Sequence, residues 1–183
     1  MINPDSGFTS SPDGDDEDFV PGSGAKKRPG LSLKARAVNL LSRREYSRAE
    51  LLRKLSAYAD SPEALETLLD ALIKEGWQSD ERVIQSVVHR RSHIHGSLRI
   101  TQELKQKGMS DGQVADIRAQ LKNTELERAQ GVWGKKFGLA GAAQTPAEYA
   151  RQARFLAARG FSHDIVRHVL KNASKVNLDE ESI

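Results

Sequence analysis

The sequence predicts an all-α protein of about nine helices, arranged as three tandem three-helix repeats in an elongated, curved array. Three observations carry this. Apolar residues between Leu31 and about Leu170 recur at spacings of three and four, the period of a helix with one buried face. Helix-start signatures, Ser or Thr followed three residues later by Glu or Gln, recur at Ser47, Ser110, Thr124 and Thr145. Strand signals are nearly absent, with no sustained two-residue alternation and no Asn-Gly hairpin.

The elements follow in order. Residues 33–43 place Ala37, Leu40 and Leu41 on one face, and Ser47-Arg-Ala-Glu50 then opens a second helix carrying Leu51, Leu52 and Leu55. Ser61 caps a third helix with Pro62 at its first position, where a missing N–H costs nothing; Leu65, Leu68, Leu69, Leu72 and Ile73 form its stripe. Ser79 begins a fourth with Val83, Ile84, Val87 and Val88. After the His93–Gly96 turn a fifth carries Leu98, Ile100 and Leu104. Ser110 and Gln113 box the sixth, with Val114, Ile117 and Leu121. Thr124 and Glu127 box the seventh, with Leu126, Val132, Trp133 and Phe137. Thr145 opens the eighth, with Tyr149, Ala153 and Leu156, and Ser162 caps the last, with Ile165, Val166, Val169 and Leu170.

The turns share a grammar. Lys74-Glu-Gly76-Trp77-Gln-Ser79, Lys107-Gly108-Met109-Ser110 and Arg159-Gly160-Phe161-Ser162 each give a basic helix end, a glycine, a large apolar residue and a capping serine. Glycine suits the left-handed cap, and the apolar residue, Trp77, Met109 or Phe161, is expected to pack the corner as core. The simplest parse is a first repeat over 31–78, a second over 79–123 and a third over 124–174. Residues 1–30 form an acidic Gly, Ser and Pro tail too poor in large apolar groups to fold. Residues 175–183 form an acidic C-terminal tail. A unit of this size buries its apolar face poorly alone, so neighbouring units are expected to stack.

Composition narrows the function. The 183 residues include no Cys, which removes thiol nucleophiles, disulfides, Fe–S clusters and Cys-containing zinc sites. No apolar run reaches the roughly 18–20 residues of a membrane span, so a soluble cytoplasmic protein is expected. The net charge of +3 hides an asymmetry: all 28 Lys and Arg lie between Lys26 and Lys175 with 16 acids, a net of +12, while the ends are acidic. Such a field favours polyanions, nucleic acid first. Its candidate contact residues are Arg90, Arg91, Arg99, Lys105, Lys107, Lys135, Lys136, Arg151 and Arg154, with Arg167 beyond them. The acidic N-terminal tail is read as a solubilising leader or as a competitor for the basic body.

Enzymatic readings find little support. His89, His93 and His95 have a spacing that invites a metal, but there is no His-Glu-x-x-His and no Cys. Gly131-Val-Trp-Gly-Lys-Lys lacks the glycine spacing, the following Ser or Thr and the preceding strand of a phosphate loop. Glu50 and Glu148 are accounted for by capping. No catalytic residue, metal or cofactor is expected, and the protein is read as a non-enzyme.

The stretch Gly76-Trp-Gln-Ser-Asp-Glu-Arg-Val83, followed by Gly96-Ser-Leu-Arg-Ile-Thr-Gln-Glu-Leu-Lys-Gln-Lys-Gly-Met109, resembles the RecX family of bacterial recombination regulators. Trp77 stands where that family usually has Tyr, Gln78 replaces an apolar residue, Val83 an aromatic, and Ser97 a common Pro. Further likeness lies in Ser47-Arg-Ala-Glu-Leu-Leu-Arg-Lys-Leu55, Lys135-Lys-Phe-Gly138 and Arg154-Phe-Leu-Ala-Ala-Arg-Gly-Phe161, so the match spans about residues 31 to 173. The resemblance implies a cytoplasmic partner of the RecA recombinase, binding chiefly its nucleoprotein filament. It further implies that filament growth, ATP hydrolysis, strand exchange and coprotease activity are restrained. Direct binding to single- or double-stranded DNA, a monomeric state and no membrane association accompany that reading. Two other classes stay open: a helix-turn-helix-like DNA-binding protein acting without RecA, and a helical scaffold for another protein.

Overall fold

Helices occupy most of the chain in the computed structural model, which describes residues 30–138 and 141–180, with side chains through Ser174. Among these residues there are nine α-helices and no strand: α1 (Leu33–Leu41), α2 (Arg48–Leu55), α3 (Pro62–Lys74), α4 (Asp80–Arg91), α5 (Ser97–Gln106), α6 (Asp111–Lys122), α7 (Glu125–Phe137), α8 (Pro146–Ala158) and α9 (His163–Glu180). A 3-10 turn, Ser56–Tyr58, extends α2. The acidic leader lies outside the described residues apart from Gly30. The helix of α9 continues into the acidic C-terminal segment as far as Glu180.

The starts form because local side chains satisfy the free N–H groups of the first turn. Reciprocal boxes join Ser47 to Glu50, Ser110 to Gln113 and Thr145 to Glu148. Ser32, Ser61 and Ser79 cap singly, with Pro62 leading α3. Thr124 departs from expectation: its side chain makes no cap bond to α7. Its hydroxyl instead accepts from Arg128 Nε at 3.2 Å, and the box partner Glu127 is left out of any such pairing.

The apolar stripes close into three separate clusters. The first joins Ala37, Leu51, Leu55, Leu65, Leu69 and Leu72 of α1–α3. The second joins Val83, Ile84, Val87, Ile100, Leu104, Val114 and Leu121 of α4–α6 with Met109. The third joins Ala129, Val132, Leu156, Val166, Val169 and Leu170 of α7–α9 with Phe161. Helices pack in sequence order: α1 on α2, α2 on α3, α4 on α5, α5 on α6, and α7, α8 and α9 mutually, with α6 meeting α7. Leu52, Ile73, Leu98 and Tyr149, expected within the stripes, sit at their edges and are exposed.

Trp77 corrects the corner reading: it is 46% exposed, whereas Met109 and Phe161 are buried. The corner at Gly76 holds one more residue before its cap than the other two, Trp-Gln-Ser against Met-Ser and Phe-Ser. The side chain that packs inward is the one just before the capping serine, so here it is Gln78, 3% exposed. Gln78 satisfies its amide by donating to the Tyr46 carbonyl at 3.2 Å and to Asp80 Oδ1 at 2.7 Å.

Candidate functional site

The middle helices of the three clusters, α2, α5 and α8, meet end to end. At the first junction Ser47 Oγ donates to the Lys107 carbonyl, and a Cβ on Gly108 would overlap the Ala49 Cβ. The second junction repeats the device: the Gly96 N–H donates to the Arg159 carbonyl at 2.9 Å and the Leu98 N–H to the Gly160 carbonyl at 3.2 Å. A Cβ on Gly160 would stand 2.6 Å from Arg99 N. Each time, the carbonyl-bearing end of one helix meets the amide-bearing start of another, so opposite dipole ends adjoin and unsatisfied groups pair. Gly108 and Gly160 serve both a left-handed turn, φ 84° and 82°, and this close approach. Gly76, φ 77°, has open space where a Cβ would go, so it serves the turn alone.

The two junctions differ in charge. At the first, Glu50 is buried, accepts from the Ser47 N–H at 3.0 Å, and pairs with Lys107 Nζ at 3.0 Å and Arg44 Nη2 at 3.3 Å. Burial alone raises its pKa, but the Ser47 amide, Lys107 and Arg44 outweigh burial and hold the carboxyl below its usual range. Counting from each helix start, Ser47 corresponds to Gly96 and Glu50 to Arg99, while Lys107 corresponds to Arg159. By that count the exposed Arg99 stands at the helix position that the buried Glu50 holds at the first junction. Arg99 Nη1 donates to the Ala158 carbonyl at 3.2 Å, and the Arg159 guanidinium lies over the Phe155 ring at 3.6 Å. Among the described residues no acidic side chain lies within 4 Å of the charged groups of Arg99, Lys135, Lys136 or Arg159.

These cations border a cleft of about 580 Å³ together with His93, Ile94, His95, Val132 and Phe155. A second cleft of about 610 Å³, lined by Glu50, Arg91, Glu103 and Lys107 among others, shares His95 and Arg99 with it. His95 Nδ1 is buried with no hydrogen-bond partner among the described residues. Burial, then the charges of Arg99 and Arg91, push this imidazole below its ordinary pKa; the Arg159 carbonyl opposes the shift without reversing it. The charge rises along the chain: net +1 over residues 31–78, +3 over 79–123 and +4 over 124–174.

The structure sorts the residues that the charge pattern singled out. Arg99, Lys135 and Lys136 come together at the second junction, while Arg91 and Lys107 line the adjoining cleft. Arg91 is engaged by Glu103 at 2.9 Å and Lys107 by Glu50, so both are internally neutralised. Lys105 pairs with Asp111 at 2.9 Å, largely in solvent. Arg90, Arg151 and Arg154 are exposed outside both clefts, and Arg167 lies on α9, 3.9 Å from Asp164. His89 lies on α4 and His93 in the following turn; among the described residues no three His, Asp or Glu gather where they could hold a metal.

Three residues that the charge pattern did not single out organise the site. Arg159 is the counterpart of Lys107. Glu125, on α7, is 4% exposed and accepts from both the Ser97 N–H at 2.8 Å and the Ser97 hydroxyl at 2.7 Å, so α7 supplies the cap that Gly96 cannot give α5. Arg128 donates to the Ser92 and His95 carbonyls at 3.1 and 2.8 Å and to the Leu121 carbonyl at 3.1 Å. It clamps the turn that carries His93 and His95, and burial lowers its pKa. The Glu at the second position of Thr124-Glu-Leu-Glu was the available signal for Glu125; nothing local marks Arg128.

A family model described as the third three-helix domain of RecX matches residues 123–170. The chain is 47% identical over 149 residues to the regulatory protein RecX of Ralstonia nicotianae, covering 81% of this chain and 92% of that protein. The chain belongs to the RecX family of regulatory proteins. Regulatory protein RecX of Leptothrix cholodnii is 49% identical over 152 residues, covering 81% of this chain and 94% of its own. The crystal structure of RecX from Lactobacillus salivarius superposes with a TM-score of 0.68 over 78% of this chain and 94% of that one, at 19% identity. That likeness shows the fold, and it establishes the all-α architecture independently of the helical periodicity.

Proposed function

We propose that this RecX-family regulator binds the RecA recombinase, chiefly as its nucleoprotein filament, and restrains filament growth, ATP hydrolysis, strand exchange and coprotease activity. It does so as a cytoplasmic monomer of three helical repeats, over 31–78, 79–123 and 124–174, by occupying a surface rather than by catalysis. The observation that carries this reading is the row of cations at the second junction, Arg99, Lys135, Lys136 and Arg159, left without acidic partners among the described residues. A filament is a polyanion coated with protein, so a charged cleft of this kind gains both attraction and orientation from it. Arg90, Arg151 and Arg154 are proposed as flanking contacts, whereas Arg91, Lys105 and Lys107 contribute less because each already has an internal carboxylate. No described helix is long and apolar enough to cross a membrane.

The test is DNA-dependent ATP hydrolysis and strand exchange by the cognate RecA, with this protein titrated below the RecA concentration. Inhibition at substoichiometric amounts, lost when Arg90, Arg91 and Arg99 are reversed in charge in a folded variant, is expected. No effect across the titration would refute the proposal and favour a helix-turn-helix-like DNA-binding role independent of RecA.

A further inference from the structure

We infer that the cleft beside Arg99, Lys135, Lys136 and Arg159 is a binding site for a backbone phosphate of nucleic acid, which takes the place that the Glu50 carboxylate holds at the first junction. The inference rests on the contact surface proposed above, but its test contains no RecA, so the two readings fail separately.

The argument is an internal comparison. The two junctions share their backbone device, with a helix-end carbonyl docked on a helix start and a glycine in close approach. At the first, one carboxylate gathers an amide, a lysine and an arginine. At the second, the corresponding position is Arg99, so two arginines adjoin with two lysines on the last turn of α7. Like charges held together cost free energy unless an anion joins them. The nearby acids are already committed, Glu103 to Arg91 and Glu125 to Ser97, so an anion that relieves this repulsion would come from a partner.

The cleft's shape selects phosphate over a protein carboxylate. Ile94, Val132 and Phe155 lie beside the cations, and Ile94 is 40% exposed. An apolar wall next to a cationic one matches a nucleotide unit, whose phosphate is charged and whose base has flat, apolar faces. A volume of about 580 Å³ accommodates such a unit.

The experiment measures binding of a fluorescein-labelled thymidine oligonucleotide to the full chain by anisotropy across a salt series. Arg99→Glu is expected to weaken binding by about tenfold and to lower the slope of log K against log salt by about 1. Its melting temperature should hold, because the new carboxylate would face Arg159 as Glu50 faces Lys107. Lys135→Gln with Lys136→Gln, two exposed positions, should weaken binding similarly and carries the test should Arg99→Glu fail to fold. Lys74→Gln, at the exposed end of α3 and lining neither cleft, should leave binding unchanged. Wild-type affinity in folded variants would overturn the inference. So would stronger competition by an oligoglutamate of equal charge, pointing to an acidic protein surface, or equal competition per phosphate by thymidine monophosphate, pointing to a free nucleotide.

Discussion

Gly108 offers a direct test of whether the helix corners are docking points as well as turns. Replacing Gly76 with Ala imposes a left-handed conformation on a residue with a Cβ, at a position open to solvent; the cost is about 1–2 kcal/mol. Gly108→Ala carries the same backbone cost, and its Cβ additionally overlaps Ala49 Cβ, a rigid atom on α2. Overpacking of this kind adds about 1–3 kcal/mol, for a total of about 2–5 kcal/mol. The clash involves Ala49 Cβ, with the next nearest atom, Ala49 Cα, at 3.9 Å. Ala49→Gly in the Gly108→Ala background should therefore return most of the steric part, less up to about 1 kcal/mol for a glycine within a helix. Thermal unfolding followed by circular dichroism reads this out, at about 2–4 °C per kcal/mol for a chain of this size. Equal melting temperatures for Gly76→Ala and Gly108→Ala, or a further fall on adding Ala49→Gly, would refute the docking argument.

Glu125→Ala strips the Ser97 N–H and hydroxyl of their buried acceptor, and should cost about 2–3 kcal/mol in urea unfolding, while Ser97→Ala, which keeps the backbone bond, costs less. Because the folded-state pKa of Glu50 is depressed below its reference of 4.5, its contribution is present above that value and lost as pH falls through the folded one. Lys107→Met should thus lower the melting temperature at neutral pH, with the gap to wild type narrowing on acidification; a gap independent of pH would exclude the Glu50 pair as its source. Phe161→Ala should cost about 3–5 kcal/mol, whereas Trp77→Ala, at an exposed position, should fall within about 1 kcal/mol. Iodide should quench Trp77 more readily than Trp133, whose Nε1 donates to Gln152 at 2.9 Å.

Legibility followed the range of the interactions. Ser47, Ser61, Ser79, Ser110 and Thr145 were readable as caps because a cap spans three residues and competes with little else. Thr124 had the same local pattern and failed, since its hydroxyl meets Arg128 and the neighbouring Glu125 is taken by Ser97 of another helix. Counting forward from glycine points to Trp77, whereas counting back from the capping serine selects Gln78, Met109 and Phe161, the three side chains that are buried. The candidate contact residues were legible as a charge excess but not as a site, because sequence does not show which cations find carboxylates.

By itself the sequence determined the all-α class, the helix starts and the left-handed corners, because helix period, caps and glycine conformations are set by residues within one turn of each other. Tertiary structure alone decided which charges remain free. Lys107 and Arg159 occupy the same place in the corner grammar, yet Lys107 meets Glu50 and Arg159 adjoins Arg99. That difference arises from residues some 57 and 60 positions distant in sequence, brought together only when the middle helices dock end to end.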